Sequence, residues 1–335
     1  MKRLLLLLLL HLILIPVTEA QSDDTQTLHQ NAKEFMKSGD YANATIILVR
    51  ALEKSPNNLA IAKDLALSFY MESENIKAVN VLKPFVDKDQ ADAQAYQITG
   101  MAMRRMGQIK DADKLYKKAL KMFPDSGPLY NDYGEYLWSN RDFSAIAQWE
   151  KGIEKEPRFP GNYFNAARYY FLSQDKIWGL IYGEIFINME SYSSRTAEIK
   201  TQLLDGYKKL FSDPDLLANT KNKNKFELAF LSSMNKQNSI VLRGLNPETL
   251  TMIRTRFILN WYREYADRFP LILFDIQKDL LEKGLFQVYN QWIFGAAQNL
   301  NAFQTWTTRH PEEYASFNRY LQTRILQVPE NQYYH

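Results

Sequence analysis

A 34-residue period governs the first half of this chain. Small residues stand at Ala32, Ala66, Gly100 and Gly134, each 34 positions after the one before. A second series runs Ala44, Ala78, Ala112 and Ala145, at spacings of 34, 34 and 33. Pro56, Pro124 and Pro157 close three of the units, and Gln90 holds that place in the second. A period of this length marks stacked supersecondary units, none of which can bury its apolar face alone. Two antiparallel helices per unit explain the positions. One small residue on each helix lets the pair approach closely. Large neighbours then fill the gap to the next unit: Phe35, Leu48 and Leu52, then Phe69 and Leu82, Tyr116 and Leu120, Leu137 and Trp149. Gly39 and Gly107 fall at the turn, where positive φ ends the first helix. Proline stops the second helix.

With these residues the sequence resembles the tetratricopeptide repeat (TPR) family. Ala93 to Ser126 matches best, through Gly100, Gly107, Ala112, Tyr116, Ala119 and Pro124. Thr25 to Asn58 follows closely. The fourth unit is one residue short between its helices. A degenerate fifth, from about Pro160 to Glu190, keeps small residues at Ala167, Gly179 and Gly183. The resemblance covers about half of the chain and implies an all-α superhelix with a concave inner surface. Ser193 to Phe211 reads as a capping helix, with Ile199, Leu203, Tyr207, Leu210 and Phe211 on one face. The expected organisation is a TPR array with its cap over 24–211 and a helical C-terminal domain over 222–328.

The N-terminus carries a different signal. Lys2 and Arg3 precede an apolar run from Leu4 to Ile15, which Pro16 ends, and Thr18-Glu19-Ala20 offers small residues at a cleavage site. This is the pattern of a secretory signal peptide, 1–20, cut after Ala20. The run is shorter than the ~20 residues of a spanning helix. The chain has no cysteine, so it would fold without disulfides and lacks the residue that bacterial lipoproteins acylate. The expected location is the periplasm or the exterior. A formal charge of +3 shows none of the basic bias of nucleic-acid proteins.

After the polar stretch Ser212 to Lys225, helical patterns return. Asn246-Pro247 caps a helix bearing Leu250, Ile253, Phe257, Ile258, Trp261 and Tyr265. Pro270 to Lys283 gives a second helix, Phe286, Tyr289, Ile293 and Ala297 a third, and Pro311 opens a fourth with Tyr314, Phe317, Leu321 and Ile325. Only Ser239 to Leu242 hints at a strand. The aromatic residues fall at helical spacing, which suits a core; exposed, they would suit a sugar or peptide.

Little points to catalysis. There is no thiol, no His-Glu-x-x-His pair and no phosphate loop, so no catalytic residue, cofactor or metal is assigned. His29, His310 and His335 are far apart in sequence. Glu264, Asp267, Asp275 and Asp279 form the one acidic group near an aromatic region, and a carboxylate-dependent hydrolase or glycan module there is the alternative reading.

The resemblance implies that a protein partner lies along the first helices of the units. The positions it nominates are Lys37, Lys63, Tyr70, Met71, Met101, Arg104, Arg105, Glu135, Trp138 and Arg168, with Lys33, Met36, Asn131, Phe164 and Phe171 beside them. Such a surface, basic with methionine and aromatic patches, suits an acidic or extended peptide segment. Leu67 and Ile98 stand where chaperone-tail clamps carry Asn or a basic residue, so the partner is not expected to be such a tail.

Overall fold

The computed structural model describes residues 16–218, 220–324 and 326–335, with side chains from Asp24 onward. Most of the apolar leader lies outside the described residues, and the expected cut after Ala20 falls inside the first helix. Every regular element among the described residues is helical. No helix there is long and apolar enough to cross a membrane. The chain divides into two compact units, one up to Pro124 and one from Asp125 onward.

The first unit contains three helix pairs of tetratricopeptide type: α1 (Pro16–Lys37) with α2 (Tyr41–Lys54), α3 (Leu59–Met71) with α4 (Asn75–Asp87), and α5 (Ala93–Arg105) with α6 (Ile109–Met122). Ala32, Ala44, Ala66, Ala78 and Ala112 are fully buried where the paired helices touch. A Cβ at Gly100 would lie 2.8 Å from Cε1 of Tyr116, so only glycine admits that ring. The turns follow the same period. Gly39 (φ 79°), Ser73 (65°), Gly107 (69°) and Arg141 (62°) all adopt left-handed backbone. The conformation therefore recurs in each of the first four helix pairs, including the two that lack glycine there. Asn58 and Asp92, also 34 apart, cap α3 and α5 by accepting from Ile61 N (3.2 Å) and Ala95 N (2.9 Å). Phe35, expected between units, is instead 36% exposed.

The second unit begins with two further pairs: α7 (Gly127–Ser139) with α8 (Ala145–Lys155), and α9 (Pro160–Leu172) with α10 (Ile177–Met189). A Cβ at Gly134 would meet Trp149 Cε2 at 2.8 Å. Against α9 and α10 packs α11 (Ser194–Leu210), where Gly206 makes room for the Phe171 ring and Leu180. Then follow α12 (Lys225–Asn235), α13 (Asn238–Val241), α14 (Pro247–Glu264), α15 (Ile272–Glu282) and α16 (Phe286–Asn290). The chain continues through a π-helical turn (Gln291–Gly295) into α17 (Ala296–Gln298), α18 (Leu300–Arg309) and α19 (Pro311–Thr323).

Two expectations need correction. Ser239 to Leu242 is not a strand: Asn238–Val241 is a short helix closed by the positive φ of Gly244. Its β-branched residues are decided by tertiary packing, since Ile240 points into the core. The third C-terminal pattern does run helically from Phe286 to Gln298, but it is not regular α-helix, because a π turn occupies Gln291–Gly295.

The core of the second unit runs from the last helix pair through the C-terminal helices. Trp178 of α10 stacks on Phe226 of α12, with centroids 5.4 Å apart, and Phe226 meets Trp261 of α14 at 5.5 Å. At its centre Glu184 of α10 pairs with Arg254 of α14, both almost wholly buried. Gln277 and Tyr289 donate to the same carboxylate oxygen at 2.7 and 2.8 Å, and Arg254 also donates to Asn290. The extended segment after α19 docks here too. Tyr334 stacks on Phe226 (4.9 Å), and His335 Nδ1 lies 3.0 Å from Glu150.

Candidate functional site

Within the first unit, seven of the nominated residues lie on the first helices of the pairs. Their side chains are used unequally. Lys63 Nζ is 2.6 Å from Asp92, the residue that caps α5, so its charge ties α3 to the next repeat. Lys37 is exposed and pairs with Glu34 of its own helix at 2.7 Å. Tyr70 is buried, contrary to its nomination as a surface residue. Its ring is the platform for Arg105, whose guanidinium carbon sits 3.7 Å from the ring centroid. Arg105 Nη1 also donates to the Tyr70 carbonyl at 2.8 Å. The arginine is thus fixed by cation–π contact and one hydrogen bond. It meets no carboxylate among the described residues. Met71, beside the platform, is 47% exposed. Met101 and Arg104 on α5 are half-buried.

Within the second unit, Glu135 accepts from Asn131 and Asn165, each at 3.3 Å. Asn165 also donates to the Asn131 carbonyl oxygen of the side chain at 2.9 Å. Asn131, Phe164 and Phe171 are buried rather than lining an open face. Trp138 is half-buried, with Phe143, Trp149 and Tyr169 around it at 5.7 to 6.0 Å. Arg168 pairs with Glu198 of α11 at 2.9 Å. A pattern emerges that residue type alone could not reveal. First-helix polar residues brace consecutive repeats, as His29 does to Asp64 at 2.6 Å.

The acidic residues near Pro270 are dispersed among separate partners. Glu264 is held by Lys236 and Arg263, Asp275 by Tyr262, and Asp279 by Lys283 and Tyr320. Hydrogen bonds from Arg263 and Lys236 hold the Glu264 carboxyl down at about 2. The Asp279 carboxyl is lowered by its bond from Lys283. A general acid needs the opposite shift. Leu250, Ile253, Phe257, Ile258 and Trp261 are buried and fill the core rather than lining a groove. His310 closes α18 with its ring stacked on Trp306 at 4.3 Å.

Compared by sequence, the chain matches no family model and no curated protein. Solved structures of similar fold exist. PilF of Pseudomonas aeruginosa aligns at 15% identity over 64% of this chain and 99% of its own, with a TM-score of 0.48. A thermophilic TPR protein of Thermus thermophilus aligns at 16% over 55% of this chain and 98% of its own, with a TM-score of 0.46. A tetratricopeptide repeat protein from Parabacteroides merdae aligns at 14% over 78% and 98%, with a TM-score of 0.43. The repeat type of this chain rests on its own period and packing.

Proposed function

We propose that this chain, built on tetratricopeptide-type helix pairs, is an exported scaffold that binds a protein partner, and that the first unit receives an acidic, extended segment. One observation carries the reading. Arg105 is held in place by the ring and carbonyl of Tyr70 and, among the described residues, has no carboxylate to neutralise it, beside the exposed Met71. A preorganised guanidinium loses little entropy when it takes up a carboxylate, which is why such arginines anchor interfaces. Met101, half-buried on the same helix as Arg105, extends the apolar part of this surface, and Lys37 and Arg104 add to its basic character. Export is supported by the pattern of residues 1–20.

The test is a crosslinked capture from the native envelope fraction, comparing the mature chain with Arg105→Glu and Met71→Glu variants. A protein held by the wild type and weakened at least about tenfold in both variants supports the reading. Equal capture by variants of unchanged helicity would overturn the assignment of this surface.

A further inference from the structure

The second unit contains a cleft of about 400 Å³, lined by α11 and the residues just before it and by the segment from the π turn to α19. Its walls are built by local constraint. The π turn carries Trp292, buried in the floor; such turns interrupt a helix at a cost and recur at functional sites. Gly295 ends the turn, and a Cβ there would lie 2.5 Å from Cδ2 of Phe303. Glycine therefore lets Phe303 close over the helix, where it meets Tyr314 at 6.0 Å.

Into this aromatic cleft projects Lys200 of α11. Its Nζ lies 3.5 Å from the centre of the Trp292 ring. Among the described residues no carboxylate pairs with it. Burial pushes its amine down to about 7. Two of the lining hydroxyls are spent on backbone: Ser191 donates to Ile187 O at 3.1 Å and Thr201 to Ala197 O at 3.2 Å. The Tyr314 hydroxyl and the Asn318 amide, also in the lining, carry no hydrogen bond to the described residues. The cleft therefore combines the rings of Tyr192, Trp292, Phe303 and Tyr314 with an ammonium that no carboxylate compensates among the described residues and with uncommitted polar groups such as the Tyr314 hydroxyl and the Asn318 amide. A volume of this order suits a small ligand.

We infer that this cleft binds a small aromatic carboxylic acid, its ring among Trp292, Phe303 and Tyr314 and its carboxylate on Lys200 Nζ. An anionic occupant is favoured because it holds Lys200 in its charged form and gives the ammonium, which otherwise meets only the Trp292 ring among the described residues, a carboxylate partner. Its remainder is mainly aromatic, to match the rings and Ala296 and Ala297 in the lining. The inference is independent of the partner surface in the first unit.

Isothermal titration at pH 6.5 of the full mature chain with 1-naphthylacetate and with its amide tests it. The acid should bind saturably and at least about tenfold more tightly than the amide. Lys200→Met should abolish that preference, and Lys200→Arg should keep most of it, both with unchanged helicity by circular dichroism. No saturable binding of the acid, equal binding of acid and amide, or an undiminished preference in Lys200→Met would each overturn it.

Discussion

The buried pair of Glu184 and Arg254 gives the sharpest test of how the second unit is held together. Arg254 is replaced by Met, of similar reach and no charge. In the native protein the Glu184 carboxylate receives the guanidinium, the Gln277 amide and the Tyr289 hydroxyl on one oxygen. Both charged side chains are at most 3% exposed. Removing the arginine leaves a desolvated carboxylate with two neutral donors, which costs about 3–5 kcal/mol. The loss should depend on pH. An isolated buried carboxyl has a raised folded-state pKa, so above the unfolded value of about 4.3 the folded variant binds more protons than the unfolded chain. Its stability then falls as pH rises, and its deficit should be smaller at pH 5 than at pH 8. Glu184→Leu together with Arg254→Met removes both charges and should recover most of the loss. The assay is urea unfolding followed by tryptophan fluorescence. All six tryptophans lie between Trp138 and Trp306, so the signal reports on this unit alone. A cost below about 1 kcal/mol for Arg254→Met, or a double variant as damaged as the sum of the singles, would refute the reasoning.

Two further outcomes follow from backbone and charge. Ser73→Gly and Arg141→Gly replace residues held at positive φ and should each stabilise by about 0.5–1 kcal/mol in chemical unfolding, read by circular dichroism; a loss would show that their side chains matter more than the strain. The burial of His335 disfavours its charge, but the Glu150 carboxylate outweighs this and raises its pKa. Its contribution is therefore complete below the unfolded value of about 6.5 and lost as pH rises through the folded one. The stability difference between wild type and His335→Ala should shrink from pH 6 to pH 8.5, and a growing difference would contradict the pairing.

How much of this was legible beforehand depended on whether a feature is local. The helix pairs were, because close approach demands Gly or Ala at fixed spacing, and Gly100, Gly134 and the alanines hold those places. The left-handed turns were half legible: glycine marks Gly39 and Gly107, whereas Ser73 and Arg141 take the same conformation under the constraint of the fold. The polar braces were not. Nothing in Asn131 or Asn165 announces that they meet across repeats, and Tyr70 reads as a surface aromatic until Arg105 is seen above it. The cleft at Lys200 was hidden for the same reason. It needs α11 and the segment after the π turn together, which are about 100 residues apart in sequence.

A cation on a repeat surface is informative only once its partner is known. Lys63 and Arg105 are both basic residues on first helices, yet they differ in what a ligand would have to displace. A carboxylate approaching Lys63 competes with Asp92, which also accepts from Ala95 N at 2.9 Å. Separating that pair would disturb a helix cap, and cap loss alone costs about 1 kcal/mol. Lys63 therefore acts as a clip between repeats, and its replacement should lower stability before it alters binding. Among the described residues Arg105 has no acid to surrender. Its ring platform neutralises nothing, so an incoming carboxylate adds a contact rather than exchanging one. The same criterion selects Lys200 over Lys223, whose charge is already met by Asp175 and Glu227. Binding is thus best sought where the fold positions a charge and leaves it uncompensated.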